Sequence, residues 1–275
     1  MAGYSWGDDP HATDPAPLLE ACLDGGIHYV DTSGHYGDIE MLLGRLRPKL
    51  QRHAARLCVK VAMFDWPHGV DEAFERLGVS TVDTVMVHSA NARFLREPQL
   101  ADAMHGITTR RRAARTGAST YGVDDASYVL AQPWGDAVQV EHSLLNPSVV
   151  RAVGPHLRSG QEIVVRSVLC RGLLTARWRD VPAPGDATIA PTIERLAALA
   201  AAWGFADLAE LAIRFALDTP HVGVVLVGLA SIAELHTALA AARRPPLTSA
   251  QLDALGEFDL SSADWTHLER WPVPA

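Results

Sequence analysis

The chain has 275 residues, of which 48% are hydrophobic and 20% charged, and a formal net charge of -8. This composition supports a sizeable core and excludes a disordered chain, and the acidic balance works against a broad grip on nucleic acid or an anionic membrane. The three cysteines, Cys22, Cys58 and Cys170, form no CxxC pair and are too few for a disulfide scaffold. With no signal peptide at the N-terminus and no apolar run of about 18 residues to span a membrane, a cytoplasmic location is expected.

Short apolar strands are expected at 27–31, 57–61, 82–88, 115–119, 136–141, 162–169 and 221–228. Most are apolar on consecutive positions, as strands covered on both faces are. Helical spacing lies between them at 15–26, 39–46, 101–114, 147–157, 192–203, 207–218 and 231–242, with a last helix in LTSAQLDALGEF. The segment 62–82 reads as too short for a helix between its two strands. An eighth strand can lie only around Gly3–Trp6, almost at Met1. No linker divides the chain, so one domain over 1–275 is expected. Alternating strands and helices imply an α/β protein with a parallel sheet, and the length suits a (β/α)8 TIM barrel of about 250 residues. The rival doubly wound fold lacks its Gly-rich phosphate loop here.

Polar residues stand at the C-terminal ends of these strands, where a barrel gathers its active site. Asp31 ends the first and is followed by TSGHYG; Lys60 lies in the second, His88 ends the third, Ser119 the fourth, and Gln139 lies in the fifth. Alone, Asp31 reads as a turn cap, Tyr36 as a half-buried aromatic and His88 as a core histidine. Lys60 is harder to explain by packing, because it interrupts the apolar run LCVKVAMF and lysine is almost never buried unpaired. Together the four make a proton-transfer site. Asp31 offsets the desolvation of Lys60, Lys60 favours the phenolate of Tyr36, and His88 polarises the same substrate oxygen. Histidines such as His35 and His142 lack metal-ligand spacing, and no metal is expected.

These residues sit in a wider pattern. GGIHYVDTSGHYGDIEMLLGRL (25–46), LCVKV, VDTVMVHS, RTGAST, AVQVEHSLLNP, VVRSVLCRGLLTAR and HVGVVLVGLASIAEL follow one another in the order of a known family. The chain resembles the aldo-keto reductases over nearly its whole length. The resemblance implies a catalytic tetrad of Asp31, Tyr36, Lys60 and His88. It implies an NADP or NAD cofactor, with Ser119, Thr120 and Gln139 at the carboxamide and Arg166, Ser167 and Leu169 in the following stretch. Gly228, Leu229, Ser231 and Glu234 would lie toward the adenosine end, near the start of a helix.

The chain departs from the family at several points. Thr120 and Ala238 stand where Asn is usual. Ala230 and Glu234 stand where NADP-dependent members often carry Arg, and SIAE (231–234) also reads as a helix capping box. The barrel is expected to be trimmed at its N-terminus, without the usual closing hairpin. Substrate loops are expected at Trp6, HSANARF and the tail DWTHLERWPVPA, with Trp66, Trp265 and Trp271 as an apolar wall. The leading reading is an NAD(P)-dependent oxidoreductase acting on a small-molecule carbonyl or alcohol, with a homo-oligomer left open. The alternatives are a non-redox lyase, isomerase or cyclase on the same barrel, and a non-catalytic nicotinamide-sensing or interaction subunit. Only two of the 24 basic residues are lysines, which with the alanine richness suggests a high-GC bacterial gene, and the unusual loops are consistent with specialised metabolism.

Overall fold

A computed structural model describes residues 15–271. The expected strand at Gly3–Trp6, the absent hairpin and Trp6 lie outside the described residues. The strands are parallel and follow chain order, β1 through β7. The chain falls into two compact units, one holding residues up to 139 with 158–162 and 230–232, the other 140–157, 163–229 and 233 onward.

The first unit contains α1 (Ala16–Asp24), β1 (Tyr29–Ser33), α2 (Ile39–Arg45), α3 (Arg47–Arg52), β2 (Arg56–Ala62) and α4 (His68–Leu77). It continues with β3 (Val82–His88), α5 (Ala92–Leu95), α6 (Pro98–Thr109), β4 (Ala113–Ser119), α7 (Gly122–Ala131) and the start of β5 (Ala137–Glu141). From Leu57 onward every residue of β2 is buried, as are Val85, Met86 and Val87 of β3. Such strands are covered on both faces, which explains their unbroken apolar runs.

Two expectations need correction here. Residues 62–82 do hold a helix, α4, which buries Val70, Ala73, Phe74 and Leu77 at helical spacing and ends on Gly78 in the left-handed region. The helix expected at 101–114 stops at Thr109, and Ala113 and Ala114 already belong to β4.

At the N-terminal ends of these strands, Arg56 bridges Glu162, at 2.6 Å, and Asp83, at 3.2 Å. Burial alone would raise the Asp83 carboxyl, but Arg56, Thr84 and Arg115 hold it below the ordinary range. Charges at this end of a barrel serve stability rather than chemistry.

The second unit carries the end of β5, α8 (Ser148–Val153), β6 (Glu162–Arg166), α9 (Ile189–Ala202), α10 (Leu208–Asp218), β7 (Val222–Val225), α11 (Ile232–Arg243) and α12 (Ser249–Gly256). Its core joins Leu144, Leu173, Ile193, Leu196, Leu211 and Phe258. Trp265 and Trp271 belong to that core and are buried. The indole N–H of Trp271 donates to the Trp265 carbonyl at 2.8 Å. These two tryptophans therefore pack the protein and do not line a substrate wall. Residues 264–266 and 268–270 of the tail are 3-10 turns that carry them inward.

Gly117 is a point of close approach. A Cβ there would lie 1.9 Å from the Ala137 carbonyl oxygen of the neighbouring strand. Gly117→Ala must push β4 from β5, and we expect a loss of about 2–4 kcal/mol in urea denaturation. A variant as stable as the parent would show that the strands part without cost.

Candidate active site

The strand register decides which side chains meet. Asp31 pairs with Cys58 and Ser33 with Lys60. Lys60 pairs in turn with Met86 and Ala62 with His88. Met86 pairs with Gly117, and Ser119 with Gln139. Side chains alternate faces along a strand. This register therefore puts Asp31, Ser33, Lys60, His88, Ser119 and Gln139 on one face, toward the C-terminal ends of β1 to β5. After β1 the chain turns, with the Tyr36 N–H donating to the Ser33 carbonyl at 2.9 Å and Gly37 at φ 67°, before α2 begins. That turn folds Tyr36 back over the strand end.

Lys60 is the centre of the site and is 2% exposed. Its Nζ lies 2.7 Å from Asp31 Oδ2, 2.9 Å from the Tyr36 hydroxyl and 3.1 Å from Gln139 Oε1. Burial pulls the ammonium toward neutrality. The charges and hydrogen bonds of Asp31 and Tyr36 overcome that pull and hold its pKa above the usual lysine value. Lys60 is thus a fixed cation that donates to the Tyr36 oxygen. Tyr36 itself is 38% exposed, so the phenol spans buried cation and open surface.

His88 Nδ1 is 3.1 Å from the Ser33 hydroxyl, and its ring meets Tyr36 edge-on at 5.8 Å between centroids. Ser33 was not singled out from the sequence, although it lies two residues beyond Asp31 and so shares its face. Phe64, also not singled out, is 74% exposed and sits 5.3 Å from the His35 ring. His35 pairs with Asp65 at 3.4 Å. Together they put an aromatic and a polar group beside the tetrad. Ser119 and Thr120 are buried, and the Thr120 N–H donates to the Gln139 carbonyl at 3.0 Å.

The remaining cofactor candidates stand at other strand ends. In the second unit, Arg166 ends β6, its carbonyl accepting from the His142 N–H at 3.0 Å, and Ser167 follows in the left-handed region at φ 63°. Leu169 is partly buried against the core of that unit. Gly228 is exposed, with no atom within 4 Å of where a Cβ would stand. Leu229 and Ser231 lead from it to α11, whose first turn carries Glu234. An open glycine backbone running into the N-terminus of a 12-residue helix suits a phosphate-bearing ligand. Each unit by itself thus carries residues that suit part of a nicotinamide dinucleotide, while the Glu234 carboxylate does not favour a second phosphate near it.

One cluster was invisible in the sequence. Glu141, His267 and Glu269 bring their ligand-type atoms within 4.8 Å of one another. Burial, then the Glu269 carboxylate, pushes the Glu141 carboxyl up to about 7, while Arg166 and Arg171 oppose the rise. A folded-state value above the unfolded one means that the folded state binds the proton more tightly. This contribution to stability is therefore present below about pH 4.5 and is lost as the pH rises through 7. Glu141→Gln should stabilise the protein by about 2 kcal/mol at pH 8 and by almost nothing at pH 4.5 in denaturant titrations. An equal gain at both pH values would show that Glu141 does not titrate in this way.

The parallel sheet and the site, a buried lysine bonded to a partly exposed tyrosine, define an α/β enzyme class. Residues 3–259 match the model of the Aldo/keto reductase family, and the chain belongs to that family. It is 24% identical over 236 residues to L-galactose dehydrogenase of Arabidopsis thaliana, covering 78% of this chain and 74% of that protein. It is 26% identical over 134 residues to D-arabinose 1-dehydrogenase of Saccharomyces cerevisiae, covering 42% of this chain and 39% of that protein. Among solved structures, it resembles aldo-keto reductase AKR11C1 from Bacillus halodurans in its holo form, with TM-score 0.78, 20% identity and coverage of 96% of this chain and 93% of that one. It also resembles an aldo/keto reductase from Klebsiella pneumoniae in complex with NADP and acetate, with TM-score 0.72, 19% identity and coverage of 94% and 89%. The fold is thus the (β/α)8 barrel of that family.

Proposed function

We infer that the chain is an NAD(P)-dependent oxidoreductase that interconverts a carbonyl and an alcohol on a small molecule. The observation that carries this reading is the buried Lys60 ammonium, 2.7 Å from Asp31 and 2.9 Å from the Tyr36 hydroxyl. The nicotinamide cofactor, when bound, supplies or takes up the hydride. Tyr36 gives its proton to the carbonyl oxygen in reduction and takes it back in oxidation. Because Lys60 donates to the Tyr36 oxygen, the hydroxyl hydrogen is directed away from Lys60, and charge left on the phenolate is stabilised at once. Asp31 keeps Lys60 charged. Ser33 orients the His88 ring through Nδ1, so that Nε2 is the atom that meets the substrate oxygen.

In this reading Ser119, Thr120 and Gln139 serve the carboxamide side. Arg166, Ser167 and Leu169 line the path onward, and Gly228, Leu229, Ser231 and Glu234 serve the adenosine end. The whole chain, 1–275, acts as one functional domain. Two relatives carry sugar dehydrogenase names. Aldoses and their lactone-forming oxidation are therefore the first substrates to try. No helix among the described residues is long and apolar enough to cross a membrane. We place the enzyme in the bacterial cytoplasm, in specialised metabolism, as a homo-oligomer and without nucleic-acid partners.

Tyr36→Phe should lower kcat/KM by about 10²–10⁴-fold while leaving the Kd for nicotinamide cofactor nearly unchanged. Nicotinamide absorbance follows the first quantity and fluorescence titration the second. Failure of the parent to bind either NADPH or NADH at millimolar concentration would sink the reading. Glu234→Arg should shift the ratio of NADPH to NADH affinity toward NADPH by about fivefold or more, through one added charge pair. An unchanged ratio would remove Glu234 from the phosphate end.

A further inference from the structure

Gln139 holds two charged groups at once. Its Oε1 accepts from Lys60 Nζ at 3.1 Å, and its Nε2 donates to Asp31 Oδ1 at 2.8 Å. The other Asp31 oxygen, Oδ2, lies 2.7 Å from the same Nζ. The three side chains therefore close a ring of charge-assisted hydrogen bonds. An ammonium has three N–H bonds. Asp31 Oδ2, the Tyr36 oxygen and Gln139 Oε1 take all three. The ring also dictates the orientation of the amide. Turned over, it would set NH2 against an ammonium and oxygen against a carboxylate. Gln139 and Lys60 are both buried, so water is poorly placed to stand in for the amide.

We propose that Gln139 is a positioning residue of the proton relay, locking the Lys60 ammonium onto the Tyr36 oxygen. With Oε1 on Lys60 and one Nε2–H on Asp31, the second Nε2–H and the second lone pair of Oε1 remain for a carboxamide. The catalytic purpose of the ring rests on the oxidoreductase reading, but the ring itself does not. Removing the acceptor leaves an N–H of a buried cation without a partner and frees Nζ to tilt from Tyr36.

The chain offers an unusually clean probe, because Lys49 and Lys60 are its only lysines. In ¹⁵N-labelled protein the ammonium region of the NMR spectrum holds at most these two Nζ signals, and Lys49→Arg assigns them. Lys49 is far more exposed, paired with Glu20 at the surface. The Lys60 signal is expected to persist at neutral pH, its protons protected from exchange. In Gln139→Met, which keeps the length and removes both hydrogen bonds, exchange should quicken by about tenfold or more, or the signal should vanish. Gln139→Glu keeps an acceptor for Nζ but sets an oxygen against Asp31, so the signal should persist with a changed shift. Unaltered Lys60 exchange in Gln139→Met, or an unaltered shift in Gln139→Glu, would overturn the proposal, and either folded variant decides it.

Kinetics separate positioning from cofactor grip. In Gln139→Met, kcat at saturating cofactor should fall about tenfold or more while the cofactor Kd moves less than about threefold. The reverse split, a weakened Kd with kcat kept, would assign Gln139 to the carboxamide alone. If the parent turns over no nicotinamide, the oxidoreductase reading fails, and the Nζ spectra still decide the role of Gln139.

Discussion

A lysine ammonium taken out of water needs an opposite charge and three acceptors, and the rest of the site follows from how Lys60 finds them. Asp31 supplies the charge, and Tyr36 and Gln139 complete the acceptors. The cost of burying Lys60 is what makes it useful. A surface lysine would exchange its partners with water and would not hold one N–H on a phenol. The core enforces this arrangement. Cys58, Val59 and Val61 beside Lys60 are buried, and so are Val85 to Val87 on the next strand. A one-residue slip between β1 and β2 would turn Asp31 and Ser33 to the opposite face and strand the cation. Stability and proton chemistry thus share one register.

The proton-handling residues all belong to the first unit of the chain. Most of those assigned to the cofactor's path beyond the carboxamide belong to the second. The two sets have different characters. Asp31, Lys60 and Gln139 form a closed hydrogen-bonded ring. Gly228 and the start of α11 offer open backbone and a helix N-terminus, which accept a phosphate without a matched side chain. The ring ties its three side chains to one another, whereas Glu234 stands exposed in the first turn of α11.

Much of this was legible in the sequence because the relevant signals are local. The strands at 57–61 and 82–88 show as buried apolar runs, and Lys60 stands out by interrupting one. Other features were not legible. The helix α4 was missed because Trp66-Pro67-His68-Gly69 reads as loop and the segment is short, although Val70, Ala73, Phe74 and Leu77 carry the helical spacing. Trp265 and Trp271 were expected in an apolar wall over the substrate, yet two 3-10 turns carry them into the core. Ser33 could have been found from its two-residue offset from Asp31. Glu141 and His267 are too far apart in the chain for any local pattern to join them.

By itself, then, the sequence determined the alternation of strands and helices, the family, and the four polar residues that stand at successive strand ends. Periodicity and residue type suffice for these, since both act over a few positions. The tertiary structure decided how those residues are bonded. It joined Gln139 to both Asp31 and Lys60, put Ser33 beside His88, and brought Glu141 to Glu269. Hydrogen bonds depend on distances of a few tenths of an ångström between groups remote in the chain, and only strand register and packing set those distances.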